Sequence, residues 1–389
     1  MAESPPTLHP GPLYALACSG GGVTGAYQVG VLNYIHEHFC RDGRSPFQIF
    51  SGVSCGALNT TFFACEAARA QQSRLRLVAL WEQFHVPEYH QDIWKSMRSS
   101  LFRLFRQARA SKKPLWSLYD PTPMMEIIHE GLKREHLEEA FQTGATLGVA
   151  VAATEIINCL PCWFVEGPRA VAWQRFHSVG LLSRISPLHV AASCSVPFFM
   201  PPVRIGEYCF VDGSVKLERP FSAAISMGAT RILNISTHAR VVSLPIYEAN
   251  FEPTYATLVR FMLRAFTQDL SVSEAEQIRV ANRFAAHLRQ EGQGRLQPPT
   301  TEAINALFDA RSSPTAYQPI EIFLMAPSRS PESLFREFQA EQRRASPQHP
   351  PQTFMFHRDF IRRLIQLGFD EARAKHEELR RFFSGDTAA

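Results

Sequence analysis

The sequence is most easily read from what it has little of. No Lys or Arg precedes Arg41, so a basic n-region, and with it a secretory leader of the usual kind, is not expected. Eight Cys in 389 residues do not make a disulfide framework, and a reducing, cytoplasmic setting is the expectation. Ser4 to Ile35 holds no Asp, Glu, Lys or Arg, yet it includes Ser19-Gly20-Gly21-Gly22, Thr24 and Gln28, too polar and glycine-rich for a bilayer span. No repeat recurs at a fixed period, which argues against a solenoid. The net charge of +4 is too small to argue for nucleic acid as a partner. What is present is an ordinary globular mixture, 45% hydrophobic and 20% charged, which excludes a wholly disordered chain, a collagen-like repeat and a coiled-coil rod. The length suits two or three domains, or one large α/β domain with a helical annex.

Charge is unevenly placed. Lys95, Arg98, Arg103, Arg106, Arg109, Lys112 and Lys113 fall in one stretch without Asp or Glu; it supplies +7 and leaves −3 over the rest of the chain. Met97, Leu101, Leu104, Phe105 and Ala108 recur at helical spacing through it, so it reads as a basic amphipathic helix. One reading is peripheral contact with an anionic membrane surface, cations to headgroups and apolar stripe to the interface. The other is a solvated helix face.

Apolar runs and turn signals suggest an order of elements. Leu13 to Cys18 reads as a strand ending in Ser-Gly-Gly-Gly, Gly25 to Phe39 as a helix, Phe47 to Phe50 as a buried strand and Ala57 to Ala68 as a second helix. Alternation of this kind implies a mainly parallel sheet covered on both faces. Leu147 to Ala153, Ala170 to Phe176, Tyr208 to Val211 and Arg231 to Ile235 are further strand candidates, with a helix at Phe221 to Met227 stopped by Gly228. Beyond Leu244 the pattern turns helical, at Tyr255 to Leu270, Val272 to Leu288, Phe360 to Leu367 and Asp370 to Phe383. Loops are expected near 291–317 and 342–352, where Pro, Gln, Gly and Ser accumulate.

Two glycine-rich turns carry the chemistry. Gly52-Val53-Ser54-Cys55-Gly56 fits G-x-S-x-G between a strand and a helix, the context of a nucleophile elbow. The flanking glycines permit the close approach that such a turn demands, and the helix N-terminus beneath Ser54 favours an alkoxide or oxyanion. Gly20, Gly21 and Gly22 end the first strand. In a parallel sheet that turn lies beside Ser54, with backbone amides placed for an oxyanion hole. Gly20, Gly22 and Gly25 also fit G-x-G-x-x-G, so a dinucleotide site is a rival. That site calls for an acidic residue at the tip of the second strand; Asp42 precedes the strand, and Ser54 occupies its tip.

A nucleophilic serine needs a base. Asp212, followed by Gly213, ends the strand Tyr208 to Val211 and could accept the Ser54 proton directly. A carboxylate of ordinary pKa, near 4, is a weak base at pH 7, so burial and a short hydrogen bond would be required. His238, just past Arg231 to Ile235, is the alternative base of a Ser-His-Asp triad. Ser54 follows only the second strand, earlier than in α/β-hydrolases.

The residues now resemble a known family. Leu16 to Leu32 (LACSGGGVTGAYQVGVL), Gly52 to Asn59 (GVSCGALN) and Tyr208 to Pro220 (YCFVDGSVKLERP) are similar to the three signatures of the patatin-like phospholipases. Ala153-Thr154-Glu155, Ala191 to Pro202 (AASCSVPFFMPP) and Asp269-Leu270 with Asn282 resemble weaker elements of the same family. The resemblance implies a three-layer α/β/α fold over 12–245, with motifs in 12–227, and a mainly helical extension over 246–389. It implies a Ser-Asp dyad, Ser54 as nucleophile and Asp212 as base, cleaving lipid acyl esters without His; no cofactor or metal is expected. Gly20 to Gly22 would form the oxyanion hole, with Gly25, Gly52, Gly56 and Gly213 shaping the motifs. Three positions depart from the pattern: Thr24 where Arg or Lys is common, Ser214 where Gly or Ala is usual, and Glu218 where Asn is frequent. A catalytically silent lipid-binding or adaptor protein on the same fold is the competing expectation.

Other residues take plainer readings. Cys159 and Cys162 fit C-x-x-C, but Cys194 and Cys209 are too scattered to complete a zinc site. Cys55 reads as a small packing residue, His189 as a core or cap residue, and Trp163 to Val165 and Phe198 to Met200 as core or acyl-pocket lining.

Overall fold

A computed structural model describes residues 11–84, 121–175, 178–197, 199–217, 221–239, 271–291, 319–345 and 356–384. Its centre is a sheet that begins with β1 (Tyr14–Cys18), β2 (Ile49–Val53) and β3 (Gly148–Glu155), joined through α1 (Gly25–His38), α2 (Cys55–Cys65), α3 (Ala70–Gln83), α4 (Thr122–Gly131) and α5 (Arg134–Gln142). It continues with β4 (Leu160–Glu166), β5 (Trp173–Arg175), β6 (Ser178–Leu182), α6 (Pro187–Ser193), β7 (Val203–Ile205), β8 (Tyr208–Asp212), α7 (Ser222–Ser226) and β9 (Arg231–Ile235). The later described elements are α8 (Ser271–Glu291), β10 (Glu321–Met325), α9 (Pro331–Ala345), α10 (Arg358–Ala374) and α11 (His376–Ser384). The strands stand in the order β10-β9-β1-β2-β3-β4-β6-β5, with β8 and β7 branching from β3. From β10 to β3 every neighbouring pair is parallel.

Period-two alternation assigns each strand's side chains to two layers. Leu16, Cys18, Phe50, Val149, Val151, Leu233 and Ile235 pack on one face with α1 to α5 and the C-terminal helices. Ala15, Ala17, Ile49, Val53, Ala150, Ala152 and Ile232 pack on the other, against Phe221, Ala223 and Ala224 of the α7 region and Ala275 of α8. The molecule is therefore a three-layer α/β/α structure with a mixed, mostly parallel sheet.

The segment after residue 245 does more than pack as helices. β10 extends the sheet parallel to β9, where a mainly helical extension was expected, and its residues are mostly half-buried. The α10 helix crosses α1 where both carry glycine. A Cβ on Gly30 would overlap the Ile365 carbonyl, and one on Gly368 the Tyr27 carbonyl, so the crossing admits no larger residue without a shift. Tyr27 Oη donates to Glu371 Oε2 at 2.7 Å and Tyr14 Oη to the Phe383 carbonyl at 3.2 Å.

Several local expectations change. Strand β4 takes in Leu160, Pro161 and Cys162 of the Cys-Leu-Pro-Cys stretch, with Cys159 in the turn before it; Pro161 is tolerated because pairing with β6 begins only at Cys162. The strand expected over Ala170 to Phe176 is the three-residue edge strand β5. The last two helices divide near Lys375 rather than between Leu367 and Asp370, and α9 runs to Ala345, into the expected loop at 342–352. The expected helix at Tyr255 to Leu270 lies outside the described residues. Among the described residues, no helix is long and apolar enough to cross a membrane.

Candidate active site

One edge of β3 brings two chain ends together. Along Gly148–Ala152 it pairs with β2, and along Ala153–Glu155 with β8, which runs the opposite way. Val53 and Asp212 therefore pair with successive residues, Ala152 and Ala153. Ser54, one residue past β2, meets Asp212 at the end of β8. Its Oγ donates to Asp212 Oδ2 at 2.6 Å. Both are buried, at 5% and 1% exposure.

Ser54 is held in an unusual conformation. Its φ of 54° and ψ of −129° lie outside the regions that side-chain-bearing residues favour, at a cost of roughly 1–3 kcal/mol. The glycines make the turn possible: a Cβ on Gly52 would overlap the Gly56 carbonyl, and one on Gly56 the Cys18 carbonyl. The Ser54 amide donates to Ser193 Oγ at 2.8 Å, and its carbonyl accepts from Ala57 N at 2.8 Å as α2 begins.

Asp212 is fixed at every polar atom. Its amide donates to the Ser195 carbonyl at 2.9 Å, and its carbonyl accepts from Thr154 Oγ1 at 3.1 Å. Oδ1 accepts from Ser214 N at 2.8 Å and from Ser214 Oγ at 2.6 Å. Burial raises its pKa above the ordinary carboxylate value, opposed by the hydrogen bonds from Ser214 and Ser54. Gly213 lies tight against β3: a Cβ there would stand 2.6 Å from the Ala152 carbonyl.

The glycine loop lies against the pair. A Cβ on Gly20 would stand 3.1 Å from Ser54 Cβ and 3.3 Å from Ser214 Cβ. Thr24 Oγ1 donates to the Gly21 carbonyl at 2.7 Å, and Thr237 Oγ1 donates to the Gly20 carbonyl. Thr24, where a cation was the familial expectation, thus closes the loop it belongs to. Beneath it runs a buried polar chain. Trp81 Nε1 donates to Asn59 Oδ1 at 2.8 Å, and Asn59 Nδ2 to Gln28 Oε1 at 2.9 Å. Gln28 Nε2 donates to the carbonyls of Ser19 at 2.8 Å and Ile235 at 2.9 Å. Gly25 admits the close approach of Cys55 and Trp81, 2.8 Å from where its Cβ would be.

The other singled-out residues fall elsewhere. His238 Nδ1 lies 3.2 Å from Thr237 Oγ1, while the partner of the Ser54 hydroxyl is Asp212. His189 Nδ1 accepts from Ser186 N at 3.1 Å and completes the capping box of α6. Glu155 accepts from the amides of Ile157 and Asn158, both at 2.8 Å, and shapes the β3–β4 turn. The Cys55 thiol is pushed up to about 12, by burial first and by the Asp212 charge second. Cys159 is exposed and Cys162 buried in β4. Trp163 is fully buried core. Among the described residues, no group of three His, Cys, Asp or Glu could hold a metal. Lys95, Arg98, Arg103, Arg106, Arg109, Phe198, Glu218 and Asp269-Leu270 lie outside the described residues.

Ser193, Ser195, Gln28, Asn59 and Thr237 shape the site and were not singled out. The first four lie within the motifs, but Ser195 acts through its carbonyl, which no residue type encodes. Thr237 carried no signal in the sequence.

A strained serine on a strand–helix turn, in hydrogen-bond contact with a buried carboxylate, at the C-terminal edge of a three-layer α/β/α fold, defines a narrow class of proteins. The chain belongs to the patatin-like phospholipase family, whose model matches residues 16–225. Solved structures similar to it include human GIVD cytosolic phospholipase A2, at 11% identity and TM-score 0.44, covering 96% of this chain and 60% of that one. VipD from Legionella pneumophila is similar at 11% identity and TM-score 0.33, covering 95% of this chain and 67% of that one. The chain thus spans about three-fifths of the human protein's length. No curated protein matches.

Proposed function

We propose that the chain is a serine lipid acyl hydrolase acting through Ser54 and Asp212. The observation that carries this is the 2.6 Å hydrogen bond from Ser54 Oγ to Asp212 Oδ2, buried at a helix N-terminus. Ser54 Oγ attacks the ester carbonyl carbon as its proton passes to Oδ2. The carbonyl π pair moves to oxygen, and the oxyanion rests on the amides of Gly20 to Gly22. Support for that role is the loop's geometry: the carbonyls of Ser19, Gly20 and Gly21 are each engaged by a donor, and Gly20 abuts Ser54. Each such amide is worth about 10²–10³ in rate. Collapse expels the alcohol, which takes the proton from Asp212. Water, deprotonated in turn by Asp212, then releases the fatty acid and restores Ser54.

Burial serves this scheme, because it makes Asp212 a stronger base than an exposed carboxylate. The basic stretch around Lys95 to Arg109 is the part we assign to anionic lipid surfaces, on its charge and helical spacing alone. The test is fatty-acid release from a panel of phospholipids, lysophospholipids and a soluble acyl ester. Wild type is expected to release acid from at least one and Ser54→Ala from none. Equal release by the two would refute the assignment.

A further inference from the structure

We propose that Ser214 is a positioning residue of the dyad, holding Asp212 with Oδ2 toward Ser54 and keeping it an active base to lower pH. Any residue at this position offers the amide that bonds Oδ1 at 2.8 Å. Only Ser or Thr adds the second donor, the hydroxyl at 2.6 Å on the same oxygen. Gly or Ala here would leave Oδ1 with the amide alone.

The two donors have a geometric consequence. A carboxyl group with one oxygen pinned twice cannot rotate about χ2 without losing both bonds, so Oδ2 stays directed at Ser54 Oγ. They also have an electrostatic one. The Ser214 hydroxyl bonds the charged carboxylate more strongly than the neutral acid. It therefore favours the ionised form and offsets burial, and the hydrogen bond from Ser214 is the largest opposing influence on Asp212. Few other groups compete. Among the described residues, the titratable groups facing Asp212 are the thiols of Cys55 on α2 and of Cys194 after α6, both shifted upward chiefly by burial and so held neutral. Glu155, two residues beyond the Asp212 partner on β3, is turned to its own turn amides. Ser214 is also beside the glycine loop, its Oγ 3.5 Å from where a Gly20 Cβ would lie, so base, nucleophile and loop converge on this residue.

The catalytic meaning of this inference rests on the proposed hydrolase reading, so the test reads Asp212 directly as well. Infrared pH titration follows the Asp212 carboxyl band, identified by its loss in Asp212→Asn, in wild type, Ser214→Ala and Ser214→Thr. The rate of fluorophosphonate labelling is followed over the same pH range. The midpoint in Ser214→Ala is expected about one pH unit above wild type, with Ser214→Thr close to wild type. The acid limb of labelling moves with the midpoint. Coincident midpoints in wild type and Ser214→Ala overturn the role of Ser214, even where labelling of Ser54 upholds the hydrolase reading. A shifted midpoint in a protein that never labels upholds the hold of Ser214 on Asp212 and removes the hydrolase.

Discussion

The two ends of α2 carry the same chemical group in opposite circumstances. At the N-terminal end Ser54 leads into the helix and contacts the buried carboxylate of Asp212, whose donors among the described residues are all neutral: two hydroxyls and one amide. At the C-terminal end Glu66 is the C-cap, fully buried, with Arg76 Nη1 at 2.8 Å and His136 Nδ1 at 2.7 Å on its Oε1. A helix C-terminus repels a carboxylate, and Arg76 supplies the counter-charge that the backbone cannot. A helix N-terminus stabilises negative charge on its own, and among the described residues no cation bonds Ser54 or Asp212. On the proposed reading, the difference separates a structural acid from a reactive one. A guanidinium holds its partner as a fixed ion pair, whereas neutral donors leave a buried carboxylate ready to take a proton.

The comparison breaks most sharply if each acid is neutralised in place. Asp212→Asn is expected to lower turnover of a soluble ester on the order of 10⁴-fold while leaving the melting temperature level or raised, because a buried charge is removed. Paired kinetics and calorimetry check this; a large loss of stability with retained turnover would reverse the two roles. Glu66→Gln is expected to do the converse. It should cost about 1–3 kcal/mol in urea denaturation, moderated because Arg76 is half-exposed and reaches water, with turnover unchanged within about twofold.

A smaller effect sharpens the contrast through pH. On the proposed reading Asp212 must be ionised to act as base, and burial raises its pKa. Activity is therefore expected at high pH and expected to fall as pH falls, with the midpoint above the ordinary carboxylate range. Stability moves the other way. A carboxylate whose folded pKa exceeds its unfolded value binds its proton more readily when folded, so this group adds stability as pH falls through the folded pKa. A pH–rate profile beside a pH–stability profile, each compared with Asp212→Asn, separates the two signs.

Much of this site was legible in the sequence because its residue types carry the chemistry. G-x-S-x-G between strand and helix placed Ser54, Asp-Gly after a strand placed Asp212, and three glycines marked the loop beside them. What was not legible depends on partners distant in the chain. Ser193 meets the Ser54 amide across 139 residues, and Asn59 links Gln28 to Trp81 across the core. Ser214 stood out only as a departure from pattern; its meaning required the direction of its hydroxyl. In the fold, β1 and β9 fall where strands were expected, whereas β2 starts two residues later than the Phe47 to Phe50 run and continues to Val53. β4 was masked by Pro161 and Cys162, and β10 by lying among helical patterns as a half-buried edge strand.

The central claim is that Ser54 is a nucleophile activated by Asp212. It is tested most directly by fluorophosphonate labelling of wild type, Ser54→Ala and Asp212→Asn, with the adduct located by mass spectrometry. The account predicts an adduct on Ser54 in wild type and none in either variant. No adduct on folded wild type would contradict it, and an adduct that survives Asp212→Asn would assign the base to another residue, with His238 tested next.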